Sequence, residues 1–233
     1  AVAFAPPSGS LIGEFWEADV MHLATKSYLM LVEVISNYSQ AIPIANRKEI
    51  SLYNAAKIWE SYLRSKFPRP YNNRSVQVRS DRELGMNALS QIVTLTRTTA
   101  EEHASRAEVL IRTVKERSRA ILHSLPYNLP IELLDWLVRH VVQTKNYMPS
   151  TVNAAETPME AVEGKKIKLD ELAKLRFGTT GYAVVPPDQR GSKIDPRSEE
   201  AILVGFELGT PRNLYVYLLG TKSIVSRSKF VES

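Results

Sequence analysis

The alternation of apolar and polar positions divides the chain into short strand-like and helical runs. EFWEADV, from Glu14 to Val20, predicts a strand. SYLMLVEVI, from Ser27 to Ile35, is apolar and β-branched enough for a buried one, with MHLATK supplying the turn between them. AIPIA (Ala41 to Ala45) predicts a shorter third strand, which Pro43 places toward an edge or a strand end. Three consecutive strands of this kind form a meander. From Ser51 to Phe67, Leu52, Ala55, Ala56, Trp59, Tyr62 and Leu63 recur at helical spacing, with Ser51 available as N-cap. PRPYNNRS then reads as a loop, and VQVRS (Val76 to Ser80) as a strand that ends at Asp81. A short helix over Leu84 to Ile92 and a last strand VTLT (Val93 to Thr96) follow. Helix dominates from Glu101 to Leu125 and from Pro130 to Asn146.

The periodicity changes beyond a polar stretch, Thr151 to Ile167, that contains Gly164-Lys165-Lys166. GYAVV (Gly181 to Val185), AILVGFE (Ala201 to Glu207), NLYVYLL (Asn213 to Leu219) and SIVSRS (Ser223 to Ser228) are short strand runs separated by glycine or proline turns, which predicts a small antiparallel barrel or curled sheet. The expected organisation is a disordered or extended leader over 1–10, an α/β domain over 11–150, a linker over 151–175 and an all-β domain over 176–233.

Composition narrows the chemistry. A chain of 233 residues can bury one sizeable core and add a small second domain. Its longest apolar stretches fall well short of the ~20 residues that a membrane-spanning helix requires. The first residues lack the basic and apolar regions of a signal peptide, and the start at Ala1 suggests a segment of a longer polyprotein. With no cysteine, disulfides and cysteine-containing zinc sites are excluded, and His22, His103, His123 and His140 have no metal-ligand spacing, so no zinc is expected. A formal charge of +5 and a pI of about 9.3 permit nucleic acid as a partner.

Three acids stand out against this background. Asp19 lies inside the first strand between Ala18 and Val20, where a carboxylate costs desolvation unless a cation or donors satisfy it. Asp81 ends a strand able to pair beside the first. Glu108 falls on the long helix, on a face shared with Arg112, Lys115 and Arg119, while Ala107, Leu110, Val114 and Ile121 make the apolar face. Carboxylates converging from separate elements suit Mg²⁺ or Mn²⁺, and two such ions about 3.5–4 Å apart can polarise both attacking and leaving oxygens in phosphoryl transfer. Taken singly, Asp19 reads as a capping or salt-bridge residue and Glu108 as a solvated helix acid.

The segments around these acids resemble the integrases of Copia-type (Ty1/Copia) LTR retrotransposons. WEADV is similar to the first-aspartate strand, NYSQAIPI to the strands that follow, and VRSDRE to the second-aspartate segment. EEHASRAEVLIRTVKERSRAILHSLPYNLP, continuing into WLVRHVVQTKNYMPS, resembles the third-acid helix and its successor. TPMEAVEGKK, SKIDPRSEEAILVGFE and SIVSRSKFVE resemble the segments of the small C-terminal domain, so the likeness runs from about residue 12 to 232. It implies an RNase H-like mixed sheet flanked by helices, followed by a small all-β SH3-like barrel. It also implies a D-D-E triad of Asp19, Asp81 and Glu108 as catalytic and metal-binding residues, using two Mg²⁺ or Mn²⁺ ions for 3′-end cleavage and strand transfer. DNA, as element ends and target, and a homo-oligomer are the implied partners; the nucleus, or a cytoplasmic particle before nuclear entry, is the implied location. The chain departs from the family pattern in having Val109 after Glu108, Ser105 where glycine is frequent, and only 26 residues between Asp81 and Glu108.

Arg106, Arg112, Lys115, Arg117 and Arg119 make the third-acid helix basic, and Arg112, Lys115 and Arg119 share the Glu108 face, positioned to meet DNA phosphates. The alternative is an ordinary solvated helix with Glu116 as an internal partner. Lys165, Lys166 and Lys168 form a second basic group, and Arg190, Lys193 and Arg197 a third that suits structural or protein contacts equally well. Trp16, Trp59 and Trp136 sit in apolar patterns that read as core. Against the enzyme stands a degenerate or domesticated integrase core that binds DNA or protein without catalysis, and also a plain interaction module.

Overall fold

The computed structural model describes residues 4–73, 75–81, 84–97, 104–149, 155–166, 176–192, 194, 196–207 and 210–233. Contacts divide the chain into one unit of residues 1–118 with 141–167 and a second of residues 119–140 with 168–233.

In the first unit, β1 (Phe15–Leu23), β2 (Lys26–Glu33) and β3 (Ser39–Ile44) form the expected antiparallel meander. A two-residue loop joins β1 to β2, with Ala24 at φ +50° taking the left-handed conformation that tight hairpins require. β4 (Gln77–Ser80) pairs parallel to β1, and β5 (Thr94–Arg97) parallel to β4, giving the order β3-β2-β1-β4-β5. The last six residues of β2 are all buried, as a central strand covered on both faces demands, and Pro43 lies on the edge strand β3.

Helix α1 (Glu49–Lys66) buries Leu52, Ala55, Ala56, Trp59 and Leu63. The Trp59 ring meets Trp16 of β1 edge-on at 5.3 Å, and Phe67 meets the other side of Trp16 at 5.8 Å. The helix begins one turn earlier than the Ser51 N-cap predicted from sequence. Lys48 occupies the cap, and Asn46 Oδ1 instead accepts from the Lys48 N–H and the Ser51 hydroxyl, both at 2.9 Å. The short α2 (Pro68–Asn72) and a 3₁₀ helix (Leu84–Gln91) follow.

Helix α3 (Ser105–Ser124) buries Ala107, Leu110, Val114 and Ser118; Ile121, expected on this stripe, is only half-buried. The part of the predicted helix over 101–103 lies outside the described residues. After a 3₁₀ turn (Ile131–Leu133), α4 (Leu134–Asn146) ends on the edge strand, where the Asn146 side chain accepts from Ser39 N–H at 2.9 Å and donates to Ser39 C=O at 2.8 Å. Within the stretch expected as linker, α5 (Pro158–Glu163) is held by a reciprocal capping box between Thr157 and Glu160 and stopped by Gly164 at φ +65°. Phe4, in the expected leader, packs its ring 5.7 Å from that of Phe15.

The second unit is an antiparallel five-stranded sheet, with β6 (Thr180–Val184), β7 (Ser198–Glu207), β8 (Thr210–Leu218), β9 (Ser223–Arg227) and β10 (Phe230–Glu232) in the order β10-β6-β7-β8-β9. The single closing run expected from Ser223 is thus two strands on opposite edges. A register shift at Leu203/Gly205 bends β7 against β8. Gly181 lets β10 approach, since a Cβ there would lie 2.2 Å from the Val231 carbonyl oxygen. Residues 119–140 join this unit through side chains: Tyr217 donates to Glu132 at 2.8 Å, Tyr127 donates to the Gly178 carbonyl at 2.6 Å, and Trp136 packs 5.0 Å from Tyr215.

Truncating Trp16 to alanine should remove about 3–5 kcal/mol of stability in urea denaturation, as loss of a fully buried indole from a close-packed aromatic cluster requires. Burial beside Phe177 also lowers the His140 pKa to about 4. The unfolded state therefore binds more protons between that value and about 6.5, so stability rises with pH across this window, by at most about 1.4 kcal/mol per unit. His140→Phe should flatten that rise when thermal midpoints are compared from pH 4 to 7.

Candidate functional site

The parallel pairing of β1 with β4 sets Glu17 opposite Arg79 and Ala18 opposite Ser80. Asp19 follows Ala18 within β1 and Asp81 is the first residue after β4, so the same register carried one step further makes them neighbours, at a strand spacing of about 4.8 Å. Side chains alternate along a strand, so Glu17 and Asp19 share the face opposite Trp16. Helix α1 covers the Trp16 face, and α3 starts on the Glu17 face. Asp19 is half-buried, and its Oδ1 accepts from the Val20 N–H at 2.7 Å. Asp81, also half-buried, accepts from the Ala104 N–H at 3.3 Å.

Helix α3 is fastened by a second carboxylate that sequence reasoning missed. Glu17 is fully buried, and its Oε2 accepts from the Arg106 N–H at 2.7 Å and the Ala107 N–H at 3.4 Å. First-turn N–H groups of a helix have no intrahelical acceptor and carry partial positive charge, so a carboxylate from another element can serve as their cap. The other oxygen, Oε1, is buried without a hydrogen-bond partner. The signal in the sequence was the pair of acids two residues apart in an otherwise apolar strand.

Glu108 lies in the first turn of α3, its N–H bonded to Ala104 C=O at 3.0 Å and its side chain exposed. The register thus points Asp19 and Asp81 to one another's neighbourhood, while Glu108 is carried on α3, the helix that follows the Asp81-bonded Ala104. Among the described residues, no three His, Cys, Asp or Glu side chains gather closely enough to hold an ion. The donors present are hard carboxylate oxygens, the type that Mg²⁺ and Mn²⁺ prefer. The described part of the short interval from Asp81 to Glu108 holds one 3₁₀ helix, the four-residue β5 and the start of α3.

Of the basic candidates, Arg112 is exposed and Lys115 half-buried beyond Glu108 on α3; Arg119 is exposed in the part of α3 that groups with the second unit. Arg106 has a structural role, its guanidinium donating to Val34 C=O at 2.5 Å and Phe4 C=O at 3.2 Å. Lys165 and Lys166 are exposed, with Lys166 3.7 Å from Glu160. Arg190 donates to Val185 C=O, and Lys168 and Lys193 lie outside the described residues.

A cleft of about 690 Å³ opens near Val76 and Thr94, at the opposite end of β4 and β5 from Asp81. Its one carboxylate, Glu60, accepts from Tyr71, from Lys57 at 2.9 Å and from Arg64 at 2.8 Å, and these bonds, Tyr71 foremost, pull its pKa down to about 2. That cluster is neutralised internally and offers no reactive group. In open sheets it is the carboxyl ends of the strands that present ligand sites, and here that end carries Asp81.

No family model matches the chain, and no curated protein matches it. Solved structures do. The HTLV-2 integrase catalytic core domain, in complex with magnesium and in dimeric form, superposes with a TM-score of 0.50 at 15% identity, covering 66% of this chain and 98% of that one. A chain from the simian T-cell lymphotropic virus intasome in complex with PP2A regulatory subunit B56 gamma gives a TM-score of 0.55 at 12% identity, over 96% of this chain and 77% of that one. The mixed five-stranded sheet flanked by helices matches the RNase H-like fold seen in those cores, and the antiparallel sheet after it is in keeping with a C-terminal β domain.

Proposed function

We propose that the chain is a polynucleotidyl transferase of the integrase type, the catalytic core and C-terminal domain of a Copia-type retrotransposon integrase. The observation that carries this reading is the β1–β4 register: carried one residue past the Ala18–Ser80 pair it makes Asp19 and Asp81 neighbours, and Asp81 accepts from the Ala104 N–H just before α3. Asp19 and Asp81 are the residues to hold a hard divalent cation, with Glu108 completing the set from the first turn of α3. A bound Mg²⁺ or Mn²⁺ supplies Lewis-acid activation of the attacking oxygen, water in end processing and a DNA 3′-hydroxyl in joining. The protein's own part is to place carboxylate oxygens and to align DNA, so no side-chain nucleophile is needed. Arg112 and Lys115 extend from the acidic end along α3 and suit phosphate contacts, with Arg119, Lys165 and Lys166 as further contacts. The likeness to cores solved as a dimer and within an intasome supports a homo-oligomer acting on DNA; the nucleus, or a cytoplasmic particle before nuclear entry, is the location that an integrase of this type would have.

A second reading, a degenerate or domesticated core that binds DNA or protein without catalysis, is favoured by the exposed Glu108 side chain and the absence of a three-acid group among the described residues.

Strand-transfer and disintegration assays on oligonucleotides with Mn²⁺ or Mg²⁺ separate the two. Metal-dependent joining that falls at least about 100-fold in each of Asp19→Asn, Asp81→Asn and Glu108→Gln supports the enzyme. DNA binding without joining or nicking, unchanged by the three substitutions, supports the binding module. Arg112→Ala and Lys115→Ala should each weaken DNA binding across sequences and reduce the slope of log K against log salt by about 1.

A further inference from the structure

Glu17 has a geometry that a core residue does not need. A carboxylate with no exposed surface, on a central strand, costs far more than a leucine of similar size unless donors compensate it. The donors it has are the Arg106 and Ala107 N–H groups, immediately before Glu108. The same strand carries Asp19 two residues later on the same face. A single rigid element, β1, therefore holds one candidate metal-binding carboxylate directly and fixes the start of the helix bearing another. Asp81 adds the second attachment through Ala104, and the Arg106 guanidinium a third, through the Val34 carbonyl just beyond β2.

We infer that Glu17 is a positioning residue: by accepting the Arg106 and Ala107 N–H bonds it sets where Glu108 stands relative to Asp19 and Asp81. The inference rests on the integrase reading for its functional meaning, although the helix placement stands on geometry alone. Glu17 touches neither DNA nor the reacting atoms in this scheme. Its effect passes through the backbone of α3, and what matters is the reach of its acceptor oxygen. Glutamine preserves that reach, with a carbonyl oxygen at the same distance from the backbone. Aspartate preserves the charge and falls one methylene short.

The test compares the full chain with Glu17→Asp and Glu17→Gln by amide hydrogen exchange and by single-turnover joining with Mn²⁺. In Glu17→Asp, exchange at Arg106 and Ala107 should quicken about five- to ten-fold, as expected for a lost helix cap, while Ala18 and Leu110 stay within about two-fold of native. The maximal joining rate should fall about ten-fold or more, with apparent KM for DNA within about two-fold. Glu17→Gln should recover most of both. Unchanged exchange at Arg106 and Ala107 in Glu17→Asp overturns the inference. So does uniform acceleration through β1 and α3, which marks general destabilisation, or a loss confined to KM, or a glutamine variant as impaired as the aspartate one. If the native chain joins no DNA, the integrase reading fails and the exchange comparison alone decides whether Glu17 places the helix.

Discussion

The first unit turns on one buried contact, the Glu17 carboxylate against the N-terminal N–H groups of α3. Taking an ionised carboxyl out of water costs on the order of several kcal/mol, and an apolar residue would fill the same space without that cost. Two backbone donors and the positive end of a 20-residue helix offset it. A hydrophobic contact would let α3 slide along the sheet, whereas a carboxylate aimed at two particular N–H groups fixes its position along the axis. Burial makes the contact specific as well, because a register slip would leave both the charge and the helix donors unsatisfied.

Pairing of β1 with β4 extends the same logic to the site. Parallel strands evenly bonded in register put successive residues side by side, so the Ala18–Ser80 pair, carried one residue further, makes Asp19 and Asp81 neighbours. Both carboxylates are half-buried, Asp19 within β1 and Asp81 just past the end of β4, where the Ala104 N–H before α3 reaches it. This keeps two like charges close together at a position where full burial would not be tolerated.

Much of this was legible in the sequence because it rests on period. The meander, the crossover helix α1, the return strand ending at Asp81 and the second group of short strands all follow from period-2 and period-3.6 runs with turn residues between them. What was not legible depends on side-chain bonds and packing that period does not encode. The α1 start was misplaced because Asn46, outside the helix, binds Ser51 and leaves Lys48 as cap. The helix within the polar stretch after Thr151 was missed because six residues show no full period; the Thr157–Glu160 capping box was its only local sign. Tyr217 and Tyr215 draw residues 119–140 toward the second unit, so a boundary marked by composition alone could not include them. Of the site, Asp19 could be read as an acid inside an apolar strand and Asp81 as one at a strand end. Glu17 left only its place two residues before Asp19 as a signal, because its role depends on a partner 89 residues away.

The alternation along β1 separates two demands that usually conflict. Trp16, Ala18 and Val20 face α1 and are chosen for close packing, with Trp16 locked between Trp59 and Phe67. Glu17 and Asp19 share the opposite face, where Glu17 meets α3, and present carboxylate oxygens there. A strand that carries stability on one face and polar chemistry on the other lets the polar face hold costly groups, because the aromatic packing behind it resists relaxation. The rigidity has a direct consequence for Glu108. Its helix is anchored at its first turn to the same strand that bears Asp19, so a change at the aromatic core reaches the acidic face only by moving β1 itself, and the two carboxylate positions then move together.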